Sequence, residues 1–324
     1  MRDIGIEFPE RGQMRFYELG PPGEIKPTEV LIRTHYSGIT NGTERHALLA
    51  EHGWVFFPGR HGYQHVGRVE AVGDEVKGFK PGDWVYFGRY VGHRGWHIVD
   101  VSWTDLHSNN SHLCMVLPGD VDYRQCALLG VAGVAMRGVR RCRVEPAQRV
   151  WVAGAGPIGQ FAAQAARAFG AEVTVTEINE RRLAVAKELG AHRVIDARRK
   201  TAYDELREGG PYDRIIDACG AKSLFMDIHR TRLLAYGGAI CALAVRTETV
   251  FHWAMLHDLE ASIEVSCHYS LDDLRVVLHF VRKGTIKIEP LISHFVSIEE
   301  APSIYEILRD RPGDLLGVIF DWTA

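Results

Sequence analysis

No stretch of the 324 residues holds an apolar run near the roughly 20 residues that a membrane-spanning helix needs. That excludes a helical membrane protein. Excess positive charge is also missing, since 38 Lys and Arg face 41 Asp and Glu for a net charge of −3. The chain therefore offers no basic field to nucleic acid or to an anionic membrane, and neither is expected as a partner. There is no Cys-x-x-Cys pair. Cys114, Cys126, Cys142, Cys219, Cys241 and Cys267 are irregularly spaced and read as free thiols in a reducing cytoplasm. The start, Met1 to Phe8, has an acid at Asp3 and no apolar core, so it does not read as a signal peptide. Internal repeats, low-complexity tracts and long linkers are absent too. The length suffices for two domains with separate cores. Sixteen histidines are many for such a chain, so metal binding has to be tested residue by residue.

The strongest local signal is Val150-Trp-Val-Ala-Gly-Ala-Gly-Pro-Ile-Gly159. An apolar strand runs into Gly154, Gly156 and Gly159. Ile158, Phe161, Ala162, Ala165, Ala166 and Phe169 then recur at helical spacing. Strand, G-x-G-x-x-G and helix together predict dinucleotide binding. The first glycine makes the turn, the second admits a pyrophosphate, and the third lets the helix approach the strand. Pro157 and Ile158 open the helix, whose unpaired N–H groups favour phosphate. The next strand, Glu172–Thr176, ends in Glu177, eighteen positions beyond Gly159. An acid there accepts hydrogen bonds from a ribose 2′-hydroxyl and repels a 2′-phosphate, which favours NAD over NADP. Arg181 and Arg182 weigh the other way, and Arg182 is counted with the cofactor-binding residues. Gly220, just past a later strand, joins that group.

Residues 1–122 read as a mostly β domain, with strands at Glu29–His35, Val66–Val72 and Trp84–Phe87 broken by Gly and Pro. Residues 123–270 alternate β and α, which predicts a doubly wound parallel sheet. Its strands are expected at Val150–Ala153, Val173–Thr176, Arg193–Ile195, Arg214–Asp217, Ala239–Leu243 and Ser262–Val265. Helices are expected at 125–139, 158–169, 180–189 and 222–234. Residues 271–324, with helices at 271–283 and 299–309 and a strand at Gly317–Asp321, read as a tail returning to the first domain. The crevice between the two domains is then the expected substrate site.

These signals together resemble the medium-chain dehydrogenase/reductase superfamily, zinc-type alcohol dehydrogenases and zinc-free reductases included. The likeness rests on Ser37-Gly-Ile-Thr-Asn-Gly-Thr-Glu-Arg-His46, Pro58 to Gly73, Phe79-Lys-Pro-Gly-Asp-Trp-Val85, the glycine motif, and Lys283 to Pro302. It implies an α/β fold: a GroES-like, mostly β catalytic domain plus a Rossmann domain. It also implies which positions would hold catalytic zinc. At those positions this chain has Asn41, Tyr63 and, in the helix entering the second domain, Val131. Zinc takes thiolate, imidazole or carboxylate, so the resemblance implies a member without it. A rebuilt site from Glu44, His61 and His65 is the alternative. The family's hydroxyl–histidine relay is matched by Thr43 and His46.

The leading expectation is a zinc-independent, NAD-linked oxidoreductase acting on an alcohol/carbonyl pair. Without a metal, hydrogen-bond donors must hold the substrate oxygen. Tyr63 and Thr43 take that task, Asn41 adds an amide, and His46 exchanges the proton. His93, His97, His107 and His112 are expected to be surface imidazoles. Trp54, Phe56, Phe57, Trp96 and Trp103 are candidates for an aromatic wall around a small-molecule substrate. Two alternatives stand beside this reading: an NADPH-dependent quinone or enoyl reductase, and a dinucleotide-binding protein without turnover. The resemblance also implies a homodimer, joined through Ser262–Val265.

Overall fold

The computed structural model describes residues 3–51, 53–88, 90–102 and 113–324. Its contacts define two units. One comprises Met1–Gly130, Tyr269–Asp272 and Ile292–Ala324. The other comprises Val131–His268 and Asp273–Leu291.

The first unit opens with an antiparallel hairpin, β1 (Ile4–Glu7) and β2 (Arg15–Glu18). Then come β3 (Glu29–Gly38), helix α1 (Asn41–Leu48), β4 (His65–Val72), β5 (Trp84–Gly88), β6 (Trp96–Asp100) and β7 (Leu113–Val116). Alternation in β3 buries Val30, Ile32 and Thr34, and Val30 and Ile32 pack with Val69, Val85, Phe87 and Val99.

The second unit begins with α2 (Leu129–Arg141) and proceeds through β8 (Arg149–Ala153), α3 (Pro157–Ala168), β9 (Glu172–Glu177) and α4 (Glu180–Glu188). It continues with β10 (Arg193–Asp196), α5 (Ala202–Gly209), β11 (Tyr212–Asp217) and α6 (Leu224–Thr231). It closes with β12 (Leu234–Ala242), α7 (Trp253–His257), β13 (Ser262–Val265) and α8 (Leu271–Arg282). Its six strands are all parallel, in the order β10-β9-β8-β11-β12-β13. The order reverses direction between β8 and β11, and ligands of such sheets sit at the carboxyl ends of the strands there. Asp273 of α8 accepts from Arg140 at 2.6 Å and from Arg137 at 3.1 Å, tying α8 to α2.

The chain then supplies β14 (Ile292–Ser297), α9 (Ala301–Asp310) and β15 (Gly317–Asp321) to the first unit. β15 runs antiparallel to β3, and the sheet reads β14-β15-β3-β4-β5-β7, with β6 also on β3. Ile304, Tyr305 and Leu308 of α9 share one core with Ile6, Phe8, Leu48, Phe320 and Trp322.

Some elements differ from the sequence expectation. Helix 222–234 is shorter, because Arg232 turns to φ +54° and Leu234 already starts β12. The hairpin β1–β2, strands β6, β7 and β14 and helices α5 and α7 were not expected. His93 and His97 are not surface imidazoles. Both are fully buried beside His65. Trp103, His107 and His112 lie outside the described residues.

Two consequences can be measured. At Gly159 a Cβ would stand 1.9 Å from the carbonyl oxygen of Gly154, so backbone must move to admit it. Gly159→Ala is expected to lose about 1–3 kcal/mol of stability, the usual cost of overpacking, and to lower the melting temperature. His65 is held well below the ordinary histidine range, first by burial and also by the neighbouring Arg94 charge. Its unfolded form therefore binds a proton more readily than the folded form. Stability is present above about pH 6.5 and is lost as pH falls below it. Chemical denaturation between pH 7 and 5 should show this fall. His65→Asn should flatten it by up to about 1.4 kcal/mol per pH unit.

Candidate active site

In the second unit the glycine turn lies at the carboxyl end of β8. Gly154 takes φ +99°, and a Cβ there would meet the Cys219 Cβ at 2.9 Å. Gly156 N-caps α3 and faces open space, with nothing within 4 Å of a built Cβ. Pro157 occupies the first turn, where its missing N–H costs nothing. Beside this turn is a cavity of about 470 Å³, lined by Gly154, Gly156, Glu177, Arg182, Tyr203 and Cys219 among others.

The structure thus brings Gly154, Gly156, Glu177 and Arg182 to one cavity, with Pro157, Ile158 and Gly159 on the adjoining helix. Glu177 is folded onto the turn. Its Oε2 accepts the Ala155 N–H at 2.7 Å, and its Oε1 accepts those of Ile178 at 2.8 Å and Asn179 at 3.2 Å. Arg182 follows on α4, whose N-cap Asn179 accepts the Arg182 N–H. Burial lowers the pKa of the Arg182 guanidinium and the Glu177 charge offsets it. Gly220 donates its N–H to Asp217 Oδ1 at 2.9 Å, and Asp217 Oδ2 pairs with Arg246. The sequence reading did not single out Trp151, Tyr203 or the Asp217–Arg246 pair. Trp151 Nε1 donates to Thr176 Oγ1 at 3.0 Å, and the Tyr203 hydroxyl donates to Asp227 at 3.0 Å. An acid ending β11 was the one available signal for the ion pair. Tyr203, on the short helix α5, carries no such signal.

In the first unit, α1 carries Asn41, Thr43, Glu44 and His46. The Asn41 amide donates to the carbonyls of Leu316 at 3.0 Å and Leu315 at 3.4 Å. Its amide group therefore faces main chain of the C-terminal segment. His46 Nδ1 pairs with Glu51 at the end of the helix. Tyr63 is buried, with its ring centroid 4.7 Å from Tyr90 and 6.2 Å from Tyr269. The Tyr269 hydroxyl meets that of Tyr86 at 2.6 Å, and burial pushes both phenols well up. Of the proposed aromatic wall, Trp54 meets His61 edge-on, Phe57 packs on the core and the Trp96 indole donates to the Gly20 carbonyl. Phe56 is exposed.

Asn41, Tyr63 and Val131 supply no thiolate, imidazole or carboxylate, so these positions do not fit zinc. Glu44, His61 and His65 do not form the alternative set. Both Glu44 oxygens already accept protein donors, and His65 Nε2 faces the Gly92 carbonyl at 3.2 Å. Among the described residues, no group of three His, Cys, Asp or Glu is placed to hold a metal.

Residues 26–151 match the alcohol dehydrogenase GroES-like domain, and residues 157–283 match the zinc-binding dehydrogenase family. A probable D-xylulose reductase A of Aspergillus clavatus is 27% identical, covering 93% of this chain and 92% of its own length. Human sorbitol dehydrogenase is also 27% identical, over 92% of this chain and 89% of its own. Among solved structures, an Escherichia coli oxidoreductase of unknown specificity aligns with a TM-score of 0.86 at 21% identity, over 99% of both chains. The 2R,3R-butanediol dehydrogenase of Bacillus subtilis aligns at 0.82 and 20%, over 98% of this chain and 99% of its own. The paired GroES-like and Rossmann folds, the glycine turn and these matches agree: the chain belongs to the zinc-type, alcohol dehydrogenase-like medium-chain dehydrogenase/reductase superfamily and is an NAD(P)-dependent enzyme of it.

Proposed function

We propose that this enzyme is NAD-linked and moves a hydride between nicotinamide and an alcohol/carbonyl substrate without zinc. The observation that carries the cofactor choice is Glu177, whose carboxylate lines the same cavity as Gly154 and Gly156. A 2′-phosphate brought there meets that negative charge, whereas a 2′-hydroxyl finds an acceptor. The bound nicotinamide supplies the hydride acceptor or donor. The protein's work is to hold the substrate oxygen and move one proton.

The Tyr63 phenol and Thr43 hydroxyl hold the oxygen and stabilise its charge as an alkoxide forms. Thr43 and His46 lie three residues apart on α1, so both face one side of the helix. With Nδ1 turned to Glu51, the ring's Nε2 is the atom that takes the proton. A dimer completes this reading. β13 has β12 as its neighbour in the sheet and ends in the exposed Val265, so two copies can pair along that edge.

Turnover is to be measured with sorbitol, xylulose, 2,3-butanediol and a panel of other alcohols, ketones, enones and quinones. NADH should bind at least about tenfold more tightly than NADPH. Tyr63→Phe should lower kcat on the best substrate by about 10²-fold, as removal of an oxyanion donor does. EDTA dialysis should leave kcat intact. Stoichiometric zinc, NADPH preference, or unchanged kcat in Tyr63→Phe overturns the corresponding part. Sedimentation should give twice the 36.3 kDa chain mass, and a monomer at micromolar concentration removes the dimer.

A further inference from the structure

Beneath the loop that carries Tyr63 lies a closed polar network that neither the glycine motif nor the relay explains. Glu44, on α1, is wholly buried, as are His93 and Ser37, and Tyr305 and Trp322 are nearly so. Glu44 Oε1 accepts the Thr40 N–H at 2.7 Å, so the side chain reaches back to the residue that caps its own helix. Glu44 Oε2 accepts the Tyr305 hydroxyl at 2.6 Å and lies 3.1 Å from His93 Nε2. His93 Nδ1 lies 2.8 Å from Ser37 Oγ, which accepts the Trp322 indole N–H at 2.9 Å. Above the imidazole is Gly62. A Cβ there would stand 2.6 Å from His93 Cδ2 and Nε2, and the Gly92 N–H donates to the Gly62 carbonyl at 3.3 Å. The neighbour of Gly62 is Tyr63.

The protons of this network can be counted. Trp322 Nε1 and Thr40 N only donate. The Tyr305 phenol keeps its proton, since burial and the Glu44 charge push it well up. A carboxylate at Glu44 then needs His93 Nε2 as a donor, and Ser37, already accepting from Trp322, gives its own hydrogen to Nδ1. Every hydrogen is used. In the reverse arrangement Glu44 carries a proton to Nε2 and Nδ1–H points at Ser37. The Ser37 hydrogen is then left over in a dry core, where an unmade hydrogen bond is costly. A doubly protonated ring leaves the same hydrogen over.

We propose that Glu44 and His93 are a positioning pair, an anionic carboxylate facing a neutral Nε2–H imidazole, which holds the helix of Thr43 and His46 to the loop of Tyr63. This rests on the reading that Thr43 and Tyr63 hold the substrate oxygen. Neither member of the pair touches substrate. A carboxylate with no water around it has one favourable place, where its three donors converge, so it fixes α1 more sharply than apolar packing does. The imidazole carries that fixed position to the main chain of residues 62 and 92. Losing a donor shifts Thr43 against Tyr63, and a misplacement of about 1 Å is enough to cost 10²-fold in rate.

The test uses the full chain with NAD. In ¹⁵N-histidine-labelled protein, His93, assigned by its loss in His93→Gln, should show the neutral Nε2–H pattern at pH 7.5. His93→Leu should lower kcat on the best alcohol of the panel 10- to 100-fold and leave the Kd for NADH unchanged. His93→Gln, whose amide N–H replaces Nε2–H, should recover most of that loss. An Nδ1–H or doubly protonated His93 in the parent protein overturns the proposal. So does a folded His93→Leu with full kcat, or a His93→Gln no better than His93→Leu. If His93→Leu does not fold, the ring's protonation pattern and the His93→Gln rate still decide. Full turnover in Tyr63→Phe sinks the oxygen-holding reading instead and leaves the ¹⁵N measurement to judge the pair.

Discussion

A carboxylate removed from water has to be met by donors, and Glu44 draws its donors from separate parts of the chain. Thr40 comes from the start of α1, His93 from the loop before β6, and Tyr305 from α9 near the C-terminus. Trp322, at the end of the chain, completes the circuit through Ser37 of β3. The first unit is thereby closed from inside. β15 pairs with β3, α9 shares a core with α1, and the polar network runs through both contacts. Apolar burial supplies most of the stability of such a core. The network supplies the register, because each hydrogen has one place to go.

The second unit solves a different problem by a different means. There the backbone must come close to itself and leave room for a phosphate, and small residues do this. Gly159 permits contact with the Gly154 carbonyl, while Gly156 leaves open space at the helix start. The charges around this turn are held locally. Glu177 is met by main-chain N–H groups and Asp217 by Arg246 and the following loop. Both acids end parallel strands, the edge where a doubly wound sheet gathers its ligands.

Much of the fold was legible because it is written in local signals. Strand, glycine turn and helix are contiguous, and so are the strands of the parallel sheet. Hairpin β1–β2 and strand β14 were not legible. β2 and β14 are only partly buried, β1 is a four-residue run without a regular turn signal before β2, and β14 pairs with the distant β15. The site was legible by position and less so by role. Asn41 stood at a telling place in a motif, yet its amide faces Leu315 and Leu316, some 270 residues away. His93 looked like one histidine among several in an irregular stretch. Its meaning depends on Glu44, Ser37 and Gly62, and no spacing along the chain connects them.

The fold of Glu177 onto the glycine turn has a bearing on cofactor engineering. An acid at this position is an obvious target for anyone wishing to exchange one dinucleotide for the other. Here it is also the latch of the turn, since it receives the Ala155 N–H from between Gly154 and Gly156. On the NAD-linked reading proposed above, replacing it with a small neutral residue would remove the charge that faces a 2′-phosphate and would also release the loop that must cradle the pyrophosphate. Selectivity and affinity are tied to one side chain. A change of coenzyme in this chain needs a second substitution that restores an acceptor for the Ala155 N–H.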